Sequence, residues 1–150
     1  MKARRVMTRD VVCVPPSTPL FQAHRMMSWI KVRHLVVTTG GEPCGVLSDR
    51  DFTGYAVRRP DGHVEYPDHT VAEAMSVGPI TAGPDTSVSH VARLMLTHRI
   101  DAVPIVNPQN QVVGLITSTD LVELLAETDQ ESEVLPFSFK LRHPDELSAE

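Results

Sequence analysis

Gly45–Phe52 reads GVLSDRDF, and Gly114–Leu121 reads GLITSTDL. The two share a glycine, two apolar residues, a hydroxyl, two variable residues, an aspartate and an apolar residue. A hydroxyl that ends an apolar run and is followed three residues later by a carboxylate is the pattern of a strand running into a capped helix. The sequence around the two stretches repeats as well. With an offset of 68, Met7 falls on Met75, Val12 on Ile80, Thr18 on Thr86, Leu20 on Val88, Met27 on Met95 and Val32 on Ile100. After one inserted residue, Ser48 falls on Thr117 and Asp51 on Asp120. A repeat of this length holds several secondary-structure elements, so it marks a half-domain rather than a solenoid unit.

Each half reads as a short strand (Val11 to Val14; Pro79 to Ala82), a helix, a strand (Leu35 to Val37; Val103 to Val106), a hairpin, a strand (Val46 to Leu47; Val112 to Ile116) and a second helix. The turn-rich stretches TTGGEP and NPQNQ mark the hairpins. Thr18 and Thr86 stand as hydroxyl N-caps of the first helices, with Pro19 at the first helical position. Leu20, Ala23, Met26, Met27 and Ile30 recur at helical spacing and predict an inward stripe, matched by Val88, Val91, Leu94 and Met95. The expected class is α/β: two β-α-β-β-α repeats, 1–57 and 71–126, packed about a pseudo-twofold axis. Residues 58–70, polar and broken by proline and glycine, are expected to form the crossing loop. Residues 127–150 turn acidic and then alternate apolar with polar, as a frayed tail or an arm lying on a partner would.

The 150 residues, 41% of them hydrophobic, suffice for one core or two small ones. A net charge of −5 argues against a broad nucleic-acid footprint but leaves room for a small anion held by local cations. The basic start MKARRVMTRD has no apolar run behind it, so neither a signal peptide nor a membrane span is expected, and the cytoplasm is the default. Cys13 and Cys44 lie at no metal-ligand spacing and read as small core residues. Asp49 and Asp51 offer no oriented acid–base pair, and the seven histidines are scattered, so no catalysis and no metal are expected.

The hydrophobic strands HLVV and AVPIV, together with GVLSDRDF and GLITSTDL in the same order twice, resemble a tandem pair of CBS (cystathionine-β-synthase-type) domains, a Bateman module. The resemblance covers roughly Val6 to Val57 and Val71 to Ala126. It implies a regulatory unit that requires no cofactor and binds an adenosine compound (AMP, ADP, ATP, S-adenosylmethionine) between the repeats. It also implies a homodimer of modules acting on an unidentified regulated protein in another chain.

On spacing alone, Ser48 with Asp51 and Thr117 with Asp120 are helix caps worth about 1 kcal/mol each. The same arrangement suits a ligand: the aspartates accept from ribose hydroxyls, and Ser48 and Thr117 face a phosphate beside a helix N-terminus. The glycine three positions before each hydroxyl permits a close backbone approach. The resemblance carries the base to the strand residues Leu35, Ala102 and Pro104, Pro104 being suited to a sheet edge or bulge, and base or phosphate to the opening-strand pair Cys13 and Thr81. It carries phosphate to Arg33 and His34, with Arg50 as a further candidate. Because the second repeat has Asp101, Ala102 and Thr119 at those three places, one anion-competent region is expected rather than two equal ones. A protein that keeps the fold and serves interaction or stress response without nucleotide is the alternative.

Overall fold

The computed structural model describes residues 1–128; the tail or arm expected beyond them lies outside the described residues. Two hairpins anchor the architecture. In the first, β2 (His34–Thr39) and β3 (Glu42–Ser48) meet across Gly40 and Gly41, whose φ angles of 60° and 83° are those a two-residue turn demands. In the second, β7 (Ala102–Val106) and β8 (Val112–Thr117) turn through Asn110, while the Asn107 side-chain oxygen accepts from the Gln109 and Gln111 amides. The apolar runs HLVV and AVPIV are therefore strands buried on both faces.

Each hairpin is extended by both repeats. The short strand β1 (Cys13–Val14) runs parallel to β2, and β6 (Ser76–Val77), which comes from the second repeat, pairs antiparallel with β3. On the second hairpin Ala82 bridges Ile105 in parallel, and Thr8, from the first repeat, exchanges both backbone bonds with Leu115 at 2.9 and 3.0 Å. Each repeat thus lends its opening residues to the far edge of the other's sheet. Gly45 and Gly114 make room for this exchange. A Cβ at Gly45 would stand 2.5 Å from the Met75 sulfur and 2.9 Å from the Ser76 carbonyl, and one at Gly114 would collide with Met7. The close approach expected of these glycines is made by a methionine of the other repeat, not left for a ligand.

Helices α1 (Leu20–Ile30) and α3 (Val88–His98) bury Leu20, Ala23 and Met27, and Val91 and Met95, as the stripes predict, but Ile30 is exposed. Their starts differ from expectation. The Thr18 hydroxyl donates to the Pro15 carbonyl at 2.8 Å instead of capping α1, and Ser87, not Thr86, accepts the His90 amide at the start of α3. Both helices end alike, on a cation in the left-handed region, Lys31 (φ 61°) and Arg99 (φ 53°). There a positive side chain complements the exposed carbonyls of the last turn.

The second helix of the second repeat is α4 (Ser118–Glu127), whereas in the first repeat a short 3-10 helix, Asp49–Tyr55, takes its place. Thr53 and Gly54 are poor helix formers and stand where a second α-turn would have to propagate. The linker is more ordered than a crossing loop. Val57–Arg58 (β4) and Val64–Glu65 (β5) pair in a small hairpin, and Tyr66 turns into the first core against His24 and Phe52. A single turn, α2 (Val71–Ala74), then docks on the first repeat, with the Val71 amide donating to Thr18 and Val71 fully buried. Ala3 at the chain start does the same for the second core. Between the cores, Val36, Ala102 and Leu115 with Val11, Val46 and Val112 form the seam about the pseudo-twofold axis.

The opening strands are shorter than expected, and most of all in the second repeat. Val36 donates its amide to the Val12 carbonyl at 3.2 Å. The residue aligned with Val36 is Pro104, which has no N–H to give. Pairing on that side of β7 survives only through the Ala82 amide to Pro104 and the Val106 amide to Ala82. Pro104 is therefore an interior, fully buried residue that ends a ladder, not an edge residue exposed to a ligand.

Two candidate clefts between the repeats

The exchange of opening residues fixes which motif faces which strand. The junction of β3 with the 3-10 helix carries Ser48, Arg50 and Asp51, and it faces residues of the second repeat: Ser76 to Ile80, Arg99, Asp101 and Ala102. The junction of β8 with α4 carries Thr117, Thr119 and Asp120, and it faces the first repeat: Thr8, Asp10 to Val12, Lys31, Arg33 and His34. Two clefts of about 420 and 250 Å³ result, related by the repeat, each completed only by both halves.

Within each cleft the aspartate has a structural bond. Asp51 Oδ2 accepts the Ser48 amide at 2.8 Å, and Asp120 Oδ2 accepts the Thr117 amide at 2.7 Å while the Thr117 hydroxyl accepts the Asp120 amide at 3.3 Å. Both are capping boxes. The bonds engage Oδ2 of each carboxylate; Oδ1 makes none among the described residues, so cap and ligand acceptor are compatible in one side chain.

The cations do not gather in one region. Arg50 lies in the larger cleft and Arg33 in the smaller, so the expected single anion-competent region is split between them. Each finds a second cation that the sequence reading passed over, Arg99 and Lys31, the aligned helix-terminal pair. Their signal was present as two cations one residue before the aligned Val32 and Ile100. Arg33 also forms a 3.2 Å ion pair with Asp49 on the surface. His34 borders both clefts, a place its counterpart Ala102 does not share. Burial pushes its imidazole below the ordinary value, opposed by the carboxylates of Asp101, Asp49 and Asp51, while Arg33 adds to the depression.

Of the remaining candidates, Leu35 and Pro104 are fully buried, and neither they nor Cys13 nor Thr81 lines a cleft. The apolar walls are instead Val46 with Ile80 and Leu115 with Val12. Strand residues alternate faces, so the heads His34 and Ala102 reach the clefts while Leu35 beside them points into the core. Cys13 is exposed rather than buried, and Cys44 packs at the margin of the first core, its thiol donating to the Val37 carbonyl. Partial desolvation raises the Cys13 thiol above its ordinary pKa, against a Thr38 hydrogen bond. A thiol so held has little thiolate to react.

No group of three or more metal-ligating side chains assembles among the described residues, and no described helix is long and apolar enough to cross a membrane.

A family model described as CBS domain matches residues 3–58 and 71–127. The CBS domain-containing protein YhcV of Bacillus subtilis is 31% identical over 116 residues, 77% of this chain and 79% of that protein. An inosine-5'-monophosphate dehydrogenase of Korarchaeum cryptofilum is 26% identical over 120 residues, 80% of this chain but 23% of the enzyme. An L-aspartate semialdehyde sulfurtransferase of Methanocaldococcus jannaschii is 28% identical, and the chain spans 24% of its length. Among solved structures, the CBS domain pair of protein MJ0100 in complex with 5'-methylthioadenosine and S-adenosyl-L-methionine has a TM-score of 0.72 at 23% identity, covering 84% of this chain and 96% of that one. CBSX2 in complex with AMP gives 0.73 at 20% identity, covering 86% and 99%. At such identities the likeness is one of fold.

Proposed function

The chain belongs to the CBS-domain family, and from that premise we propose that it is a non-catalytic regulatory module whose clefts bind an adenosine-containing ligand such as AMP, ADP, ATP or S-adenosylmethionine. The observation that carries the reading is the composition of each cleft. One repeat brings an aspartate with a free carboxylate oxygen, a hydroxyl and an apolar wall; the other brings a second wall residue and a helix-terminal cation.

The base fits between Val46 and Ile80, or between Val12 and Leu115. Asp51 and Asp120 accept from ribose hydroxyls. Phosphate is met by Arg50 and Arg99 in one cleft, and by Lys31, Arg33 and the N-terminus of α4 in the other. The ligands in the two similar structures, methylthioadenosine with S-adenosylmethionine and AMP, support this chemistry. A ligand that touches both repeats changes their packing only to the extent that it binds one arrangement better than another. The readout of such a change is a homodimer of modules or a regulated protein in another chain. Exposed Trp29, Leu96, Val122 and Leu125 supply apolar helix surface for either.

The test is a thermal-shift and calorimetric panel of AMP, ADP, ATP and S-adenosylmethionine on the wild type, Asp51→Ala and Asp120→Ala. Ligand at ~100 times its dissociation constant should add about 2.7 kcal/mol. No shift with any of the four would leave the nucleotide-free interaction protein as the better account.

A further inference from the structure

We propose that the Ser48 cleft, and not the Thr117 cleft, takes an adenylate whose phosphate carries an apolar chain, the chain passing Arg50 and Arg99 into a groove between α3 and α4. The inference rests on the adenosine reading above and adds what the phosphate bears.

The groove lies beside the Ser48 cleft and holds about 530 Å³. Its apolar lining is Ala92, Met95 and Leu96 of α3, Ile100 just after it, and Leu121 of α4. Met95 is buried, and Leu96 stands at the rim, 79% exposed. Four residues, Arg50, Arg99, Ile100 and Asp101, line the groove and the Ser48 cleft alike. The three charged ones are exposed and Ile100 is half-buried, so side chains in solvent, not packed core, divide the two spaces. A phosphate at that junction meets two guanidinium groups against one carboxylate. Whatever the phosphate carries on its far side meets apolar surface, which gains by being covered.

The first repeat has a matching hollow without this outlet. Ala92, Met95, Ser118 and Leu121 align with His24, Met27, Asp49 and Phe52, which line a space of about 320 Å³. Among the described residues none lines both that hollow and the Thr117 cleft. Two features close the way. Val64 and Tyr66 of the linker fill the side of the hollow, Tyr66 buried in the first core. The 3.2 Å ion pair of Arg33 with Asp49 stands across the passage, Arg33 lining the cleft and Asp49 the hollow. The aligned places in the second repeat hold Asp101 and Ser118, which form no ion pair, and Thr119 stands where the first repeat has Arg50.

The ligand class follows from the order of surfaces: nucleoside in the cleft, phosphate at the arginines, apolar group beyond. An acyl adenylate has this order. AMP alone fills the cleft and leaves the groove to water.

The experiment is calorimetric titration of AMP and of the methyl, butyl and octyl 5'-phosphodiesters of adenosine into the wild type, Asp51→Ala, Asp120→Ala and Leu96→Asp, with sedimentation of each protein. One wild-type site should bind the octyl ester about thirtyfold more tightly than the methyl ester, about twofold for each of roughly five methylenes in a groove open on one side. The other site should bind the two esters within about twofold. Asp120→Ala should keep the chain-length preference and Asp51→Ala should lose it, while Leu96→Asp should cut it to about threefold. Equal binding of methyl and octyl esters at both sites overturns the inference and leaves the adenosine reading standing. So does a preference lost with Asp120→Ala and kept with Asp51→Ala, or one that survives Leu96→Asp in full. A wild-type dimer that Leu96→Asp makes monomeric, with no chain-length preference, assigns the groove to a second copy and overturns the inference as well. If Leu96→Asp fails to fold, the comparison of Asp51→Ala with Asp120→Ala decides. Failure of AMP and every ester to bind removes both the inference and the function on which it rests.

Discussion

Gly45→Ala and Gly114→Ala test the interlocking of the two repeats, and the structure sets their costs apart. Neither glycine has a positive φ, so alanine is allowed by the backbone and would gain about 0.4–1 kcal/mol from a less flexible unfolded chain. Against that stands the space. At position 45 the new methyl would meet the Met75 sulfur at 2.5 Å and the Ser76 carbonyl at 2.9 Å, and Ser76 is held in the β3–β6 ladder opposite Val46. The methionine can swing away; the carbonyl cannot move without opening the ladder. At position 114 the nearest neighbours all belong to the Met7 side chain, whose Cγ and Cβ lie at 2.8 and 3.0 Å. Overpacking costs about 1–3 kcal/mol. Gly45→Ala should fall at the upper end, lowering the melting temperature by about 4–10 °C in a domain of this size, and Gly114→Ala at the lower. Urea unfolding of both variants, with Met7→Ala and the double variant Gly114→Ala/Met7→Ala, completes a cycle. The double variant should be about 1 kcal/mol more stable than the sum of the singles. A Gly45→Ala protein as stable as the wild type would refute the exchange of opening residues on which both clefts depend.

Three further outcomes follow from the sites. Asp120→Ala should cost about 1 kcal/mol in the unliganded protein through the lost cap, while Asp120→Asn, which can still accept the Thr117 amide, should cost less than half of that; equal losses in urea unfolding would remove the cap from the account. His34 should titrate below the ordinary histidine value, since burial depresses it, and His63 above it, since Glu65 and Asp61 hold its charged form. For His34 the unfolded chain binds the proton more readily, so stability falls as pH drops through about 6.5. The contribution of His63 has the opposite sign, present below that pH and lost as pH rises through its raised value. NMR titration with His34→Ala and His63→Gln checks both, and a reversed order would contradict the burial described. Arg33→Ala and Arg50→Ala should each weaken a phosphate-bearing ligand at one cleft only; a single substitution that weakens both sites equally would contradict the split of cations.

Much of the fold was legible because it is written locally. Turn residues placed both hairpins, helical spacing placed α1 and α3, and the Ser48–Asp51 and Thr117–Asp120 spacing announced the two caps. What was hidden depends on partners distant in sequence. Nothing local says that Met7 fills the space at Gly114, or that Thr117 faces Val12 of the other repeat. Leu35 was placed at a ligand because its strand is right and its face is wrong, a difference of one residue in a period of two; Pro104 shares the face of Ala102 but lies two residues further along the strand, where it is fully buried. Arg33 and Arg50 were expected in one region because the second repeat carries neither, while the exchange of opening residues sends them to different clefts. The interrupted ladder at Pro104 is visible in the sequence as a proline, but the bond it forgoes is defined only by the aligned pair Val36 and Val12, which are distant from each other in the chain.

The central claim is that each cleft is an adenosine site completed by one motif aspartate. Its most direct measurement is the number of AMP molecules bound per chain at saturation, by calorimetry or equilibrium dialysis, in the wild type, Asp51→Ala and Asp120→Ala. The account predicts two unequal sites in the wild type, with each substitution abolishing a different one. No binding by the wild type, or loss of both sites from either single substitution in a folded protein, would contradict it.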